Sequence, residues 1–209
     1  MSKKTILHLC ADIGSDSRYY DLDEDYNVIK IGVDIGVENY FPNVDIHGII
    51  ANPVCTEFST VAGFDKIGDF EKGMLMVNHC FRIICMSNPK WWVMENPNRG
   101  NLKKLIGKPK HTYQPWQYGS PWTKDTALWG SFNMPKPTHS NQKDVIQTPD
   151  LWVRKGRSIA CLTYLHKSAI KHMPEYSWCA DRILAEKSDT GIRSMCSDGF
   201  ARQFKLCNL

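Results

Sequence analysis

Two side chains in this sequence stand where they could make or break a covalent bond. Cys55 lies in Asn52-Pro53-Val54-Cys55-Thr56, just after the apolar stretch Ile46-His47-Gly48-Ile49-Ile50. A thiol presented on a loop becomes a nucleophile once ionised, whereas a thiol packed in an interior is a small, inert hydrophobe. A chemical partner decides between the two. Glu95 ends the apolar run Trp91-Trp92-Val93-Met94 and is followed by Asn96-Pro97. Burial at the end of such a strand raises a carboxyl pKa, so the group can hold and deliver a proton. A thiolate that attacks an unsaturated ring carbon needs such an acid where the displaced electron density collects. Pro53 stiffens the thiol's loop, and the hydroxyls of Thr56 and Ser59 are donors close by in sequence.

These residues act together only if the fold gathers them. Thr5–Gly14, Asn27–Gly36 (a strand ending in Asp34), Asp45–Pro53 and Lys90–Asn98 read as strands, apolar and closed by Gly, Asp or Pro. A short helix over 15–24 has Ser15, Asp16 or Ser17 as its N-cap, and a longer one is predicted from about Phe64 to Ser87, stopped at Asn88-Pro89. A helix-like Asn101–Ile106, a strand-like His111–Trp116, turns over 118–126 and a strand over Thr126–Phe132 follow. Residues 133–157 read as loop. The last third is helical in pattern, with starts near Pro174 and Ser177. The alternation predicts an α/β protein with a parallel, doubly wound, Rossmann-like sheet. Such sheets bind ligands at the carboxyl ends of their strands, which is where the loops at 11–17, 32–36, 51–55 and 94–98 fall. Residues 1–132 are expected to form the core, 133–190 a loop-rich and helical insert able to serve as a small recognition lobe, and 191–209 a C-terminal helix returning to the core.

The loop Ala11-Asp12-Ile13-Gly14 could let a cofactor approach the backbone at Gly14. Asp12 disfavours a phosphate there, and Asp34, about 20 residues on, suits ribose hydroxyls. Together they suggest an adenosine cofactor without phosphates, S-adenosylmethionine; an ordinary strand–turn–helix is the alternative. The loop at Cys55 then separates two chemistries. Amino methylation wants Asn/Asp-Pro-Pro and an aromatic to stack on the base, but Cys55 holds the aromatic position. Methylation at carbon instead wants a thiolate that adds to C6 of cytosine and makes C5 nucleophilic.

With Pro53-Val54-Cys55, Glu95-Asn96-Pro97 and Gln117-Tyr118-Gly119-Ser120-Pro121 in this order, the chain resembles the DNA cytosine-5 methyltransferases, of the short type encoded by phages. The similarity covers about residues 5–132 and 193–208, including the N-terminal loop and the segment Arg193–Phe204. It implies methyl transfer from S-adenosylmethionine to C5 of cytosine in duplex or single-stranded DNA. Cys55 would attack C6, and Glu95 would hold N3 and the amino group. Asp12, Ile13, Gly14, Asp34 and Glu38 would line the cofactor. Pro53, Thr56, Ser59, Asn96, Gln117, Lys124 and Thr126 would line the substrate. Four departures stand out: Asp12 for a glycine, Val54 for a proline, Lys124-Asp125-Thr126 for Arg-x-Arg, and a short Asp34–Cys55 spacing. A relative with impaired catalysis that binds cofactor or DNA, and a methyltransferase acting on RNA or nucleotides, are the alternatives.

Composition sets wider bounds. A chain of 209 residues with 42% hydrophobic content can bury one sizeable core. No stretch is apolar enough to span a bilayer, and the start is too polar for a secretory signal, so a soluble, cytoplasmic protein of unknown oligomeric state is expected. The eight cysteines show no C-x-x-C spacing, so no metal site is expected, although a zinc gathered from scattered cysteines stays open. A net charge of +4 permits nucleic-acid binding without demanding it; the cations concentrate in 98–111 and 153–157.

Overall fold

The computed structural model describes residues 2–59, 68–146, 148–151 and 159–209. Its centre is a six-stranded sheet in the order β2-β1-β3-β4-β7-β5. The strands are β1 (Lys4–Leu9), β2 (Tyr26–Ile31), β3 (Gly48–Ala51), β4 (Trp91–Pro97), β5 (His111–Tyr113) and β7 (Thr126–Ser131). β6 (Trp122–Thr123) and β8 (Ala160–Cys161) form a separate two-stranded ribbon.

Alternation along the strands gives the sheet two apolar faces. Leu7, Leu9, Ile49, Ala51, Met94, Ala127 and Trp129 face one way, against α2 (Phe70–Ser87) and α3 (Leu102–Ile106). Ile6, Ile50, Trp91, Val93 and Leu128 face the other way, against α1 (Arg18–Asp21) and α6 (Asp198–Cys207). A strand covered on both faces needs an unbroken apolar run, as Gly48–Ala51 has. α2 starts where Asp69 accepts a hydrogen bond from the Lys72 N–H (3.0 Å) and stops where Asn88 turns left-handed, φ 42°, ahead of Pro89. The outcome is the Rossmann-like α/β sheet expected, with helices on both faces.

In several places the structure differs from expectation. The sheet is mixed: β1 to β4 are parallel, but β7 runs antiparallel to both β4 and β5. The connection from β5 to β7 turns through Pro115–Tyr118 without the helix that a parallel crossover needs, so the chain doubles back. β2 stops at Ile31, short of Asp34, because its ladder with β1 ends there; the chain then turns with the Gly36 N–H on the Gly32 carbonyl (3.0 Å). As the short spacing foretold, no helix separates β2 from β3. The long helix begins at Phe70; residues 64–67 of the expected span lie outside the described residues.

The last third is mostly 3-10 turns, at Lys167–His172 and Pro174–Cys179, with Ser177 inside the second rather than starting a helix. These turns, α4 (Ala180–Ala185) and α5 (Thr190–Ser194) surround a third apolar cluster. Leu162, Ile170, Met173, Tyr176 and Ile192 fill it, and Ile13 and Trp122 join it to the rest. Among the described residues no helix is long and apolar enough to cross a membrane, and no group of three or more His, Cys, Asp or Glu side chains is placed to hold a metal ion.

Candidate functional site

β3 ends at Ala51, and the chain after it is pinned on both sides. The Asn52 N–H donates to the Leu9 carbonyl of β1 (3.1 Å), and the Pro53 carbonyl accepts from Nδ2 of Asn96 on β4 (2.9 Å). Beyond the thiol, Thr56–Phe58 makes one 3-10 turn, with the Phe58 N–H on the Cys55 carbonyl (3.0 Å). Phe58 anchors this turn in the core, and its own carbonyl accepts from the Asn101 N–H (2.8 Å). Val54, half-exposed, points its N–H at Met76 Sδ (3.4 Å), a contact that a proline could not make. Cys55 is thus half-buried on a loop held at both ends.

Glu95 comes from the end of β4, the strand next to β3. Lys124, from the turn before β7, reaches it: Nζ lies 3.5 Å from Glu95 Oε1. Both side chains are largely buried, 15% and 13% exposed. Nζ also donates to the Ser194 and Met195 carbonyls (3.3 and 3.5 Å), so the C-terminal segment closes over the pair. Burial raises the Glu95 pKa above the ordinary carboxylate range, and Asp16 adds to this; Lys124 and the Asn52 amide pull the other way and do not win. For Lys124, burial lowers the pKa, but the charges of Glu95 and Asp16 more than restore it, so the ammonium persists. The Cys55 thiol is pushed up first by burial and then by Glu95, with Lys124 opposing. The three groups therefore form one electrostatic unit. Glu95 Oε1 and Asn96 Oδ1 are shielded from solvent; Oε1 makes the ion pair with Lys124 without a well-formed hydrogen bond, and Asn96 Oδ1 has no hydrogen-bond partner among the described residues.

The other expected site residues are dispersed. Gln117 turns inward: its Oε1 accepts from the Gln114 N–H (2.7 Å), and its carbonyl from the Thr138 N–H (2.9 Å). Thr126 is buried and donates to the Lys124 carbonyl (2.8 Å), holding the lysine's backbone. Thr56 is exposed at the loop surface, and Ser59 is half-buried beside it.

In the first loop, Gly14 has φ +85° and lies against the Lys30 side chain, and the Ile13 side chain is buried in the third cluster. Asp12 is tied to the C-terminal lobe, accepting from Ser194 Oγ (2.9 Å) and pairing with Arg182 (3.5 Å). Asp34 and Glu38 are exposed in the turn after β2, with the Glu38 carboxylate against Gly36. Asp16, Asp34 and Glu38 form no salt bridge among the described residues. An edge so rich in carboxylates suits hydroxyl donors or a cation and repels phosphate.

Sequence reasoning missed a buried group beneath these loops. His8 on β1 bonds Ser17 Oγ through Nδ1 (2.9 Å) and Asn52 Oδ1 through Nε2 (2.8 Å). Cys196 is also buried there, its N–H on Ser15 Oγ (3.0 Å). Asp16, Glu95, Tyr113 and Cys196 border a cavity of about 20 Å³, the size of one water. A polar residue inside an apolar strand was the one available signal for His8.

No family model matches the chain, and no curated protein matches it. Among solved structures it is similar to a provisionally assigned DNA modification methyltransferase encoded within a prophage (E. coli), at 14% identity and a TM-score of 0.43. The match covers 77% of this chain and 53% of the other, so this chain spans about half that structure's length. A likeness at this level bears on neither activity nor substrate.

Proposed function

We propose that this protein transfers a methyl group from S-adenosylmethionine to C5 of cytosine in DNA, through a covalent adduct between Cys55 and C6. The observation that carries the reading is the pairing of a half-buried thiol and a raised-pKa carboxyl at the ends of adjacent parallel strands, with Lys124 at 3.5 Å from the acid.

Cys55 Sγ, once ionised, bonds to C6, and the C5–C6 double-bond electrons move to C5. Glu95 protonates or hydrogen-bonds N3 and so removes the charge that addition would otherwise leave on the ring. Glu95 Oε1 is held only by the ion pair with Lys124, and Asn96 Oδ1, which has no hydrogen-bond partner among the described residues, lies next along the same strand. Lys124 stays cationic and stabilises Glu95 whenever the proton is passed on. Bound S-adenosylmethionine would supply the electrophilic methyl group. Asp34 and Glu38 would meet its hydroxyl and amino donors, with the backbone at Ile13–Gly14 against it. This set suits a cofactor bearing a sulfonium and no phosphate. Loss of the C5 proton with expulsion of the thiolate restores the aromatic ring and frees Cys55. In duplex DNA the cytosine must leave the stack before C6 can meet the thiol.

Digestion of treated DNA to nucleosides tests the reading, with mass spectrometry to identify the product. The wild type should give 5-methylcytosine; Cys55→Ser should give none, and Glu95→Gln about 10²–10⁴-fold less. N4-methylcytosine or N6-methyladenine would contradict the carbon chemistry. No methylated nucleoside from single- or double-stranded DNA would contradict the enzymatic reading.

A further inference from the structure

Two of the eight cysteines meet inside the fold. Cys10 follows the last residue of β1, and Cys80 lies on the buried face of α2; their sulfurs are 3.8 Å apart, in contact and unbonded. Strand alternation does not account for the meeting. Leu7 and Leu9 face α2, so by register Cys10 belongs with Ile6 on the opposite side of the sheet. Its backbone instead turns left-handed, φ 55°, a conformation that residues with a side chain rarely adopt. That turn carries the thiol back to the α2 side, where it packs against the first apolar cluster. Hydrogen bonds on both sides hold the turn. The Leu9 carbonyl accepts from the Asn52 N–H (3.1 Å), and the Ala11 N–H donates to the Ile31 carbonyl (3.0 Å).

The two thiols differ in access. Cys80 is fully enclosed, whereas Cys10 is only half-buried. The contact with Cys10 and then burial push the Cys80 thiol above its ordinary range, so it keeps its proton until its neighbour has reacted. An accessible thiol touching an enclosed one is the arrangement of an attacking and a resolving cysteine.

We propose that Cys10 and Cys80 are a redox-modification site, in which a peroxide oxidises Cys10 and Cys80 closes an intramolecular disulfide. Cys10 Sγ, as its thiolate, attacks one peroxide oxygen. The O–O bond breaks, Cys10 becomes a sulfenic acid, and the hydroxide that leaves takes up the proton the thiol gave away. Cys80 Sγ then displaces the hydroxyl from Cys10, and its own proton departs with that hydroxyl as water. The two thiols together lose two electrons, and the peroxide is reduced to two waters. The sulfurs must close by roughly 2 Å to reach bonding distance. Cys10, beyond the end of its strand and outside the core, is the side that moves. The bridge ties the start of the 11–14 loop to α2, between residues 70 apart in sequence. It is separate from Cys55 and does not rest on methyl transfer.

The test treats the native full chain with hydrogen peroxide, alkylates the remaining thiols and maps peptides without reduction. The expected product is a Cys10–Cys80 cross-linked peptide within one chain, lost on treatment with a dithiol reductant. Cys80→Ala should leave Cys10 open to capture by dimedone, a reagent for sulfenic acids, and Cys10→Ser should leave Cys80 a free thiol. Alanine keeps the core apolar at position 80, and the wild-type map needs neither variant. Oxidised wild type should melt several degrees above the reduced protein, because the bridge closes a long loop in the unfolded chain, and Cys10→Ser should show no such shift. The proposal is overturned if both cysteines stay reduced while the exposed Cys85 and Cys207 are oxidised. A link that forms only in denaturant, or one that lowers the melting temperature, would overturn it as well.

Discussion

At Lys124 the sequence departs from the Arg-x-Arg that the resemblance leads one to expect. The lysine occupies the place of an expected arginine, and it is enclosed by the Glu95 carboxylate and two backbone carbonyls. A compact ammonium with three donors suits three acceptors converging on one point; the planar fork of an arginine would not. The strand-end positions of Cys55 and Glu95 were legible because each follows an apolar run and has a proline two residues away. His8 and Asn52 were not, since a histidine inside a strand reads as core and its partner lies 44 residues away. Their pairing has a measurable consequence. The His8 pKa is lowered from 6.5, chiefly by burial, so below about pH 6.5 the unfolded chain takes up a proton that the folded chain refuses. Thermal stability should therefore rise with pH up to about 6.5 and fall as pH drops below it. His8→Gln should flatten that slope; an unchanged slope in melting curves from pH 5 to 7.5 would show that His8 is not the group responsible.

Among the elements, β1, β3 and β4 were legible because strands buried on both faces need continuous apolar runs. The reversal of β7 was not, because Thr126–Ser131 has the same composition whichever way it runs; the short turn at Pro115–Tyr118 sets its direction. The C-terminal helix was anticipated, but its seating depends on side-chain bonds that periodicity does not reveal. Ser197 caps α6 by accepting from the Phe200 N–H (3.4 Å) and shares a 2.7 Å hydrogen bond with Ser120 Oγ. Behind the cap, Phe200 stacks on Tyr113, with centroids 4.0 Å apart. Ser197→Ala should cost roughly 1–2 kcal/mol, the usual loss for an N-cap, as read by urea unfolding. It should also loosen the segment that supplies the carbonyls to Lys124. A loss below a few tenths of a kcal/mol would mean that stacking alone seats the helix.

For the molecule as a whole, the basic stretch after β4 gains weight from its position. The Asn101 N–H bonds the Phe58 carbonyl of the loop that carries Cys55 (2.8 Å), so the exposed Arg99, Lys103, Lys104 and Lys108 lie on a segment tied to that loop. The second basic stretch, 153–157, lies outside the described residues. If the first stretch follows a phosphate backbone, Lys103→Glu with Lys104→Glu should weaken DNA binding and make the dependence of log K on log salt shallower by about 1–2. An unchanged slope would remove this face from the DNA path.

The covalent bond between Cys55 and cytosine is the claim on which the whole account turns. Its most direct test is incubation with S-adenosylmethionine and DNA containing 5-fluorocytosine, where fluorine cannot leave C5 as a proton does. Denaturing gels and peptide mapping should find a stable protein–DNA adduct at Cys55, absent from Cys55→Ser. Methylation of ordinary DNA without any such adduct, or an adduct that persists in Cys55→Ser, would contradict it.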